Sequence, residues 1–163
     1  MNTLKLRVIN GSSTETVFKI DGKEVIPKRG KNGASEITYQ TDKSSVKLSV
    51  QTYLDLRVKG WFLRSLFFFL ISVFGIFDKR GNGKSRALSY EGEIPVTGET
   101  KATVRVLRFR ENEKGLAIDG VESAETENRW YVDGVVKKRG KVVVVAKILA
   151  AAVTAVVVAL LVI

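Results

Sequence analysis

Apolar and polar residues alternate in TLKLRVI near the start of the chain, where Leu4, Leu6 and Val8 are interleaved with Thr3, Lys5 and Arg7. A period of two puts one set on a buried face and the other in water, as in a half-buried β-strand. TETVFKI and KEVI are two more short runs, joined by Asp21-Gly22, the dipeptide that most readily takes positive φ in a two-residue hairpin. Past Gly30 and Gly33, SEITYQT and VKLSVQTYLDL alternate again on either side of Asp42 to Ser45. Residues 1–59 are therefore expected to form a β-module of five short strands, a small antiparallel sandwich or barrel.

Alternation then stops. WFLRSLFFFLISVFGIF, Trp61 to Phe77, holds six of the eight phenylalanines and predicts a helix over residues 60–77. Its uninterrupted apolar part, Leu66 to Phe77, rises only about 18 Å as a helix, short of the ~30 Å hydrocarbon layer of a bilayer. Arg64, Ser65, Ser72 and Gly75 project into one narrow sector, and the rest of the circumference is aromatic or aliphatic. So large an apolar surface points to lipid and leaves three placements: in the membrane plane, re-entrant around Gly75, or spanning. A buried helix of a soluble domain is the other option. Lys43, Lys47, Arg57 and Lys59 before the segment balance Lys79, Arg80, Lys84 and Arg86 after it, so charge gives no reason to change sides. Trp61 and Arg64 are expected at headgroup depth.

A second β-module is expected over residues 78–141, entered through the polar linker RGNGKSR, with TVRVLRFR as its clearest strand and a turn at Asn112 to Gly115. Asp119-Gly120 and Asp133-Gly134 read as further turns, and WYVDGVVKKRGK echoes FKIDGKEVIPKRGK. The echo suits a duplicated module, and equally any basic hairpin built around Asp-Gly. The strand, Asp-Gly turn, strand rhythm resembles that of small immunoglobulin-like modules, a likeness of architecture only.

From Val142 to Ile163 the chain reads VVVVAKILAAAVTAVVVALLVI, 22 residues without polar alternation. As a helix this run covers roughly 33 Å, enough to span a bilayer. Lys147 falls inside it, where a long stem can reach back to the headgroups beside Lys137, Lys138, Arg139 and Lys141. With basic residues before the run and none after it, the positive-inside rule places the bulk of the chain in the cytosol and Ile163 opposite, a tail-anchored layout. The N-terminus shows no signal-peptide run, in keeping with that orientation. Ala151, Ala155 and Ala159 recur every four residues, a ridge on which another helix can approach closely, although alanine is common in spans for other reasons.

Composition narrows the chemistry. The chain has no cysteine and no histidine, which excludes disulfides, thiolate or imidazole metal sites and imidazole acid/base catalysis. Gly83-Lys84-Ser85 ends like a phosphate-binding loop, but Asp78 stands where the first glycine is required and RALSYEGEIP reads extended where a helix should follow. The pairs Glu91/Glu93 and Glu111/Glu113 have the spacing of one strand face, and a solvated surface explains them. No cofactor, metal or catalytic residue is expected.

The net charge of +10 suits a phosphate-rich partner, nucleic acid or anionic lipid. Arg105, Arg108 and Arg110 around Phe109 would fit the former, yet beside a membrane-spanning tail the lipid surface is the simpler partner. Each basic side chain near such a surface contributes about 1 kcal/mol. The expected membrane-surface set is Trp61, Arg64, Lys79, Arg80, Lys84, Arg86, Lys137, Lys138, Arg139, Lys141 and Lys147. The function expected is binding or scaffolding at the inner membrane face by a non-enzymatic protein, with a protein partner or a second copy. An accessory role in a larger transport or secretion complex is the alternative, ahead of an enzyme acting on lipid or envelope precursors.

Overall fold

The computed structural model describes residues 1–10, 16–30, 34–71 and 85–162. The chain divides into two compact units, Met1–Tyr53 with Arg86–Val132, and Leu54–Ser85 with Asp133–Ile163.

The first unit is all β. Its strands are β1 (Asn2–Ile9), β2 (Thr16–Ile20), β3 (Lys23–Val25), β4 (Lys28–Arg29), β5 (Ser35–Thr41), β6 (Ser45–Thr52), β7 (Arg86–Pro95), β8 (Glu99–Val106), β9 (Leu116–Asp119) and β10 (Ala124–Val132). Among the described residues they form two five-stranded sheets, ordered β4-β5-β1-β8-β9 and β10-β7-β6-β2-β3. Leu4, Leu6, Ile37 and Val104 of the first sheet meet Phe18, Leu48, Val50, Leu88 and Tyr90 of the second in one core, which defines a β-sandwich.

The alternation of β1 is realised directly: Leu4, Leu6 and Val8 are buried while Lys5 and Arg7 face water. Asp21 at φ 50° and Gly22 at φ 79° make the expected tight turn between β2 and β3. The Asp21 carboxylate also ties that turn to β6, accepting hydrogen bonds from the Lys47 amide at 3.0 Å and the Lys43 ammonium at 2.8 Å.

The boundary expected between two β-modules does not divide the sandwich. β1 pairs in parallel with β8, from Thr3 beside Glu99 to Ile9 beside Arg105. β6 pairs antiparallel with β7, from Ser45 beside Pro95 to Gln51 beside Ser89. Strands from before and after the Phe-rich segment thus share both sheets, and the first sheet is mixed rather than antiparallel. The physical reason is burial: either half alone supplies each sheet with only two or three strands, which are marginal without neighbours. Other local expectations shift too. TVRVLRFR is strand only to Val106, Glu111 and Glu113 lie in the turn after it, and Asp119-Gly120 leads from one sheet to the other instead of closing a hairpin.

The second unit contains a 3-10 turn at Asp55–Arg57, helix α1 (Trp61–Ile71) and helix α2 (Gly134–Val162). The remainder of the expected Phe-rich helix, including Ser72 and Gly75, lies outside the described residues. α2 starts at Gly134, well before the expected Val142, so residues 134–141 are helical and not part of a β-module. Asp133 is the cause, since its Oδ1 accepts from the amides of Val135 at 2.9 Å and Val136 at 3.0 Å and caps the helix. Asp133-Gly134 is therefore a helix start where Asp21-Gly22 is a hairpin, and the sequence echo has no structural counterpart.

α2 is long and apolar enough to cross a membrane, and only 6% of its most apolar stretch is buried. Val144, Val145, Ile148, Leu149, Val153, Val156 and Leu160 are all exposed. Its one hydroxyl, that of Thr154, donates to the Ala150 carbonyl at 2.9 Å, so that group is satisfied within the helix.

Candidate functional site

Within the second unit, polar side chains gather at the root of α2. The buried Asp133 carboxylate lies 3.5 Å from the Arg57 guanidinium through Oδ2, while its Oδ1 caps the helix. Its backbone amide donates to the Ser85 carbonyl at 2.7 Å. From the second turn of α2, Arg139 reaches across and donates to the carbonyl of Leu56, in the 3-10 turn before α1, at 2.7 Å. The chain that leads into α1 and the chain that arrives at Ser85 are thus both fastened to the same end of α2.

α1 runs beside α2 in the same direction. Arg139 sits 5.2 Å over the Trp61 ring, and Lys147 sits 5.2 Å over the Phe69 ring. Each step is eight residues toward the C-terminus, about 12 Å along a helix axis, so the two helices are parallel over this contact. Ser65 on the same side of α1 donates to its own helix, to the Trp61 carbonyl at 2.7 Å. Phe62, Leu63, Phe67, Leu70 and Ile71 are exposed.

The expected membrane-surface set is only partly one cluster. Trp61, Arg64, Lys137, Lys138, Arg139, Lys141 and Lys147 all belong to the second unit. They do different things there: Arg139 is engaged by Leu56 and Trp61, and Arg64 lies 3.8 Å from Asp55 and 5.9 Å over the Phe68 ring. Lys137, Lys138 and Lys141 are exposed. Arg86 belongs to the sandwich, where its guanidinium lies 4.5 Å over the Phe109 ring. Lys79, Arg80 and Lys84 lie outside the described residues. Ala151, Ala155 and Ala159 are exposed on α2.

A groove of about 580 Å³ opens beside the first turns of α2. Leu56, Val143, Val144 and Val145 give it apolar walls, and Lys137, Lys141 and Lys147 border it.

Elsewhere, several of the described carboxylates are paired with basic side chains. Glu91 pairs with Lys47 at 3.0 Å, Glu125 with Lys114 at 3.0 Å and Glu127 with Arg129 at 2.9 Å. Lys5 and Lys101 flank Glu99 and hold its carboxyl below the usual range, as the Lys43 ammonium and Lys47 amide do for Asp21. Among the described residues no three carboxylates group as metal ligands would. In the arginine-rich stretch 105–110, Arg105 is paired with Asp119 and Arg110 with Glu113, and the Phe109 ring meets Trp130 edge-on and Arg86 face-on.

Sequence alone reads Asp133 as a turn residue and Arg57 as one of the charges flanking the Phe-rich segment, and gives Leu56 no role. The signal for Asp133 was present: an aspartate directly before a long unbroken helical run is an N-cap.

No family model matches this chain, and neither a curated protein nor a solved structure is significantly similar to it.

Proposed function

We propose that the protein is a membrane-anchored β-sandwich that acts in binding or scaffolding at the inner membrane face. α2 spans the bilayer, and the sandwich stands on the cytosolic side with the basic root of α2 at the headgroups. The observation that carries this reading is the combination of an almost wholly exposed apolar helix with lysines confined to its first half, which water would penalise and a bilayer would reward.

α1 enters the same leaflet beside α2, and the Phe-rich segment returns to the side it left. Support comes from the two tethers at one helix end, Arg139 to Leu56 and Asp133 to Ser85, and from the parallel course of α1. Of the three placements open from sequence, this geometry favours the re-entrant one. The cytosolic orientation rests on the lysines and arginine at 137–141.

The exposed face of α1, Phe62, Leu63, Phe67 and Leu70, also suits packing against another membrane subunit, which keeps the accessory role as a second reading. The test is fractionation of the full-length protein. It is expected in the membrane fraction after alkaline carbonate washing, and recovery as a monodisperse aqueous species without detergent would overturn the proposal. Purification in mild detergent then separates the readings: a lone species favours scaffolding, and stoichiometric co-purifying membrane proteins favour the complex.

A further inference from the structure

We infer that the groove at the root of α2 is a binding site for one phospholipid with a net negative headgroup. The inference rests on the membrane reading above and goes further, from a diffuse basic surface to a single site. Three observations converge on it.

The first is charge. The groove is bordered by Lys137, Lys141 and Lys147 and contains no carboxylate. In the same unit the described arginines are engaged, Arg57 by Asp133, Arg64 by Asp55 and Arg139 by the Leu56 carbonyl. Lys137 and Lys141 form no ion pair with any described carboxylate. They stand four residues apart on one helix face, a spacing at which like charges repel unless an anion lies between them.

The second is the wall. Leu56 and Val143 are buried at 7% and 5% exposure, and with Val144 and Val145 they line the groove with apolar carbon directly beyond the lysines. A free phosphate or a soluble phosphate ester would use the ammonium groups and leave this wall wet. A lipid uses both, with its phosphate between Lys137 and Lys141 and its first methylenes along Leu56, Val143 and Val144.

The third is continuity and size. The groove runs onto the exposed apolar side of α2 at Val144, Val145 and Ile148, so an acyl chain leaving it stays against apolar surface. Its volume of about 580 Å³ lies within the range of small-ligand clefts, suited to a headgroup with the upper part of its chains.

The test uses full-length protein in neutral detergent, titrated with phosphatidylglycerol, phosphatidylcholine or inorganic phosphate, with bound lipid counted by native mass spectrometry. One retained phosphatidylglycerol per chain is expected, with phosphatidylcholine weaker and inorganic phosphate unable to displace it. The double variant K137Q/K141Q is expected to weaken that retention by about tenfold or more, as loss of two phosphate-facing charges implies. The charge-matched control K28Q/K59Q, whose lysines are exposed and do not line the groove, is expected to match the parent. Equal losses in the two variants, or no loss in either, overturn the site. Flotation of each variant with liposomes keeps the two readings apart: if the variants and the parent all float, failure concerns the groove alone, and if the parent does not float, the membrane reading itself fails.

Discussion

Arg57 holds its guanidinium 3.5 Å from the carboxylate of Asp133, the residue that caps α2. One buried side chain thereby joins the approach to α1 to the start of the long helix. The two halves of this arrangement differ in strength. An N-cap contributes about 0.5–2 kcal/mol, whereas a pair with an exposed arginine contributes ~1 kcal/mol or less. Asp133→Asn keeps the capping oxygen and is expected to cost under about 1 kcal/mol, while Asp133→Ala loses both and is expected to cost about 1–2 kcal/mol. Hydrogen exchange at the Val135 and Val136 amides, in full-length protein in detergent, distinguishes them: fast in the alanine variant, near parental in the asparagine variant. Equal exchange in the two would mean that capping is not what Asp133 contributes.

The sandwich core is tightest where glycines let large side chains through. A Cβ on Gly92 would lie 2.4 Å from the Tyr90 hydroxyl, and one on Gly115 would lie 2.1 Å from Leu88 Cδ1. Both neighbours are fully buried, so Gly92→Ala and Gly115→Ala are each expected to destabilise by about 1–3 kcal/mol through overpacking. The Tyr90 hydroxyl makes no hydrogen bond although Ser123 and Glu125 are near, and burial raises its pKa. Tyr90→Phe removes that unpaired group and is expected to be neutral or stabilising by up to about 1 kcal/mol. It is also expected to relieve part of the Gly92→Ala penalty, because the two clashing atoms are neighbours. Denaturant unfolding of the four variants checks this; a Tyr90→Phe loss above about 1 kcal/mol would reveal a hydrogen bond that the geometry lacks.

Acid sensitivity is expected from Asp21 and Glu99. Lys43 and Lys47 lower the Asp21 pKa, and Lys5 and Lys101 lower that of Glu99. A depressed folded-state carboxyl stabilises fully above its unfolded value, about 3.9 for Asp and about 4.3 for Glu, and the contribution is lost as pH falls through the folded values. Lys43 is shifted upward by Asp21, so its share persists below about 10.4 and fades as pH rises through the raised value. Melting temperature measured from about pH 6 down to pH 2 is expected to fall less steeply in Asp21→Asn and in Glu99→Gln than in the parent. Parallel curves would show that these carboxyls are not linked to folding.

Local features were legible in the residues, and distant pairings were not. The period of β1 and the Asp21-Gly22 turn follow from neighbours in sequence, as does the apolar run of α2. The parallel pairing of β1 with β8 joins residues more than ninety positions apart, and nothing in either strand encodes its partner. Asp133-Gly134 was misread because the same dipeptide serves a hairpin turn or a helix cap; only the long helical run after it decides. The lysine groove depends on Leu56, which touches the helix only once the chain is folded, so only its α2 half was visible as a basic cluster. Arg139 looked like a further lipid contact, and its bond to Leu56 makes it a fastening inside the protein.

The topology of the Phe-rich segment and of α2 is open to direct measurement because the parent has no cysteine. Single cysteines at Lys59, Ser85, Ser123 and Ile163 are to be probed with a membrane-impermeant maleimide in intact cells and in inverted vesicles. Lys59, Ser85 and Ser123 are expected to react only from the cytosolic side, and Ile163 only from the other. Reaction of Lys59 and Ser85 from opposite sides, or of Ile163 from the same side as Ser123, would contradict a single span with a segment that dips and returns.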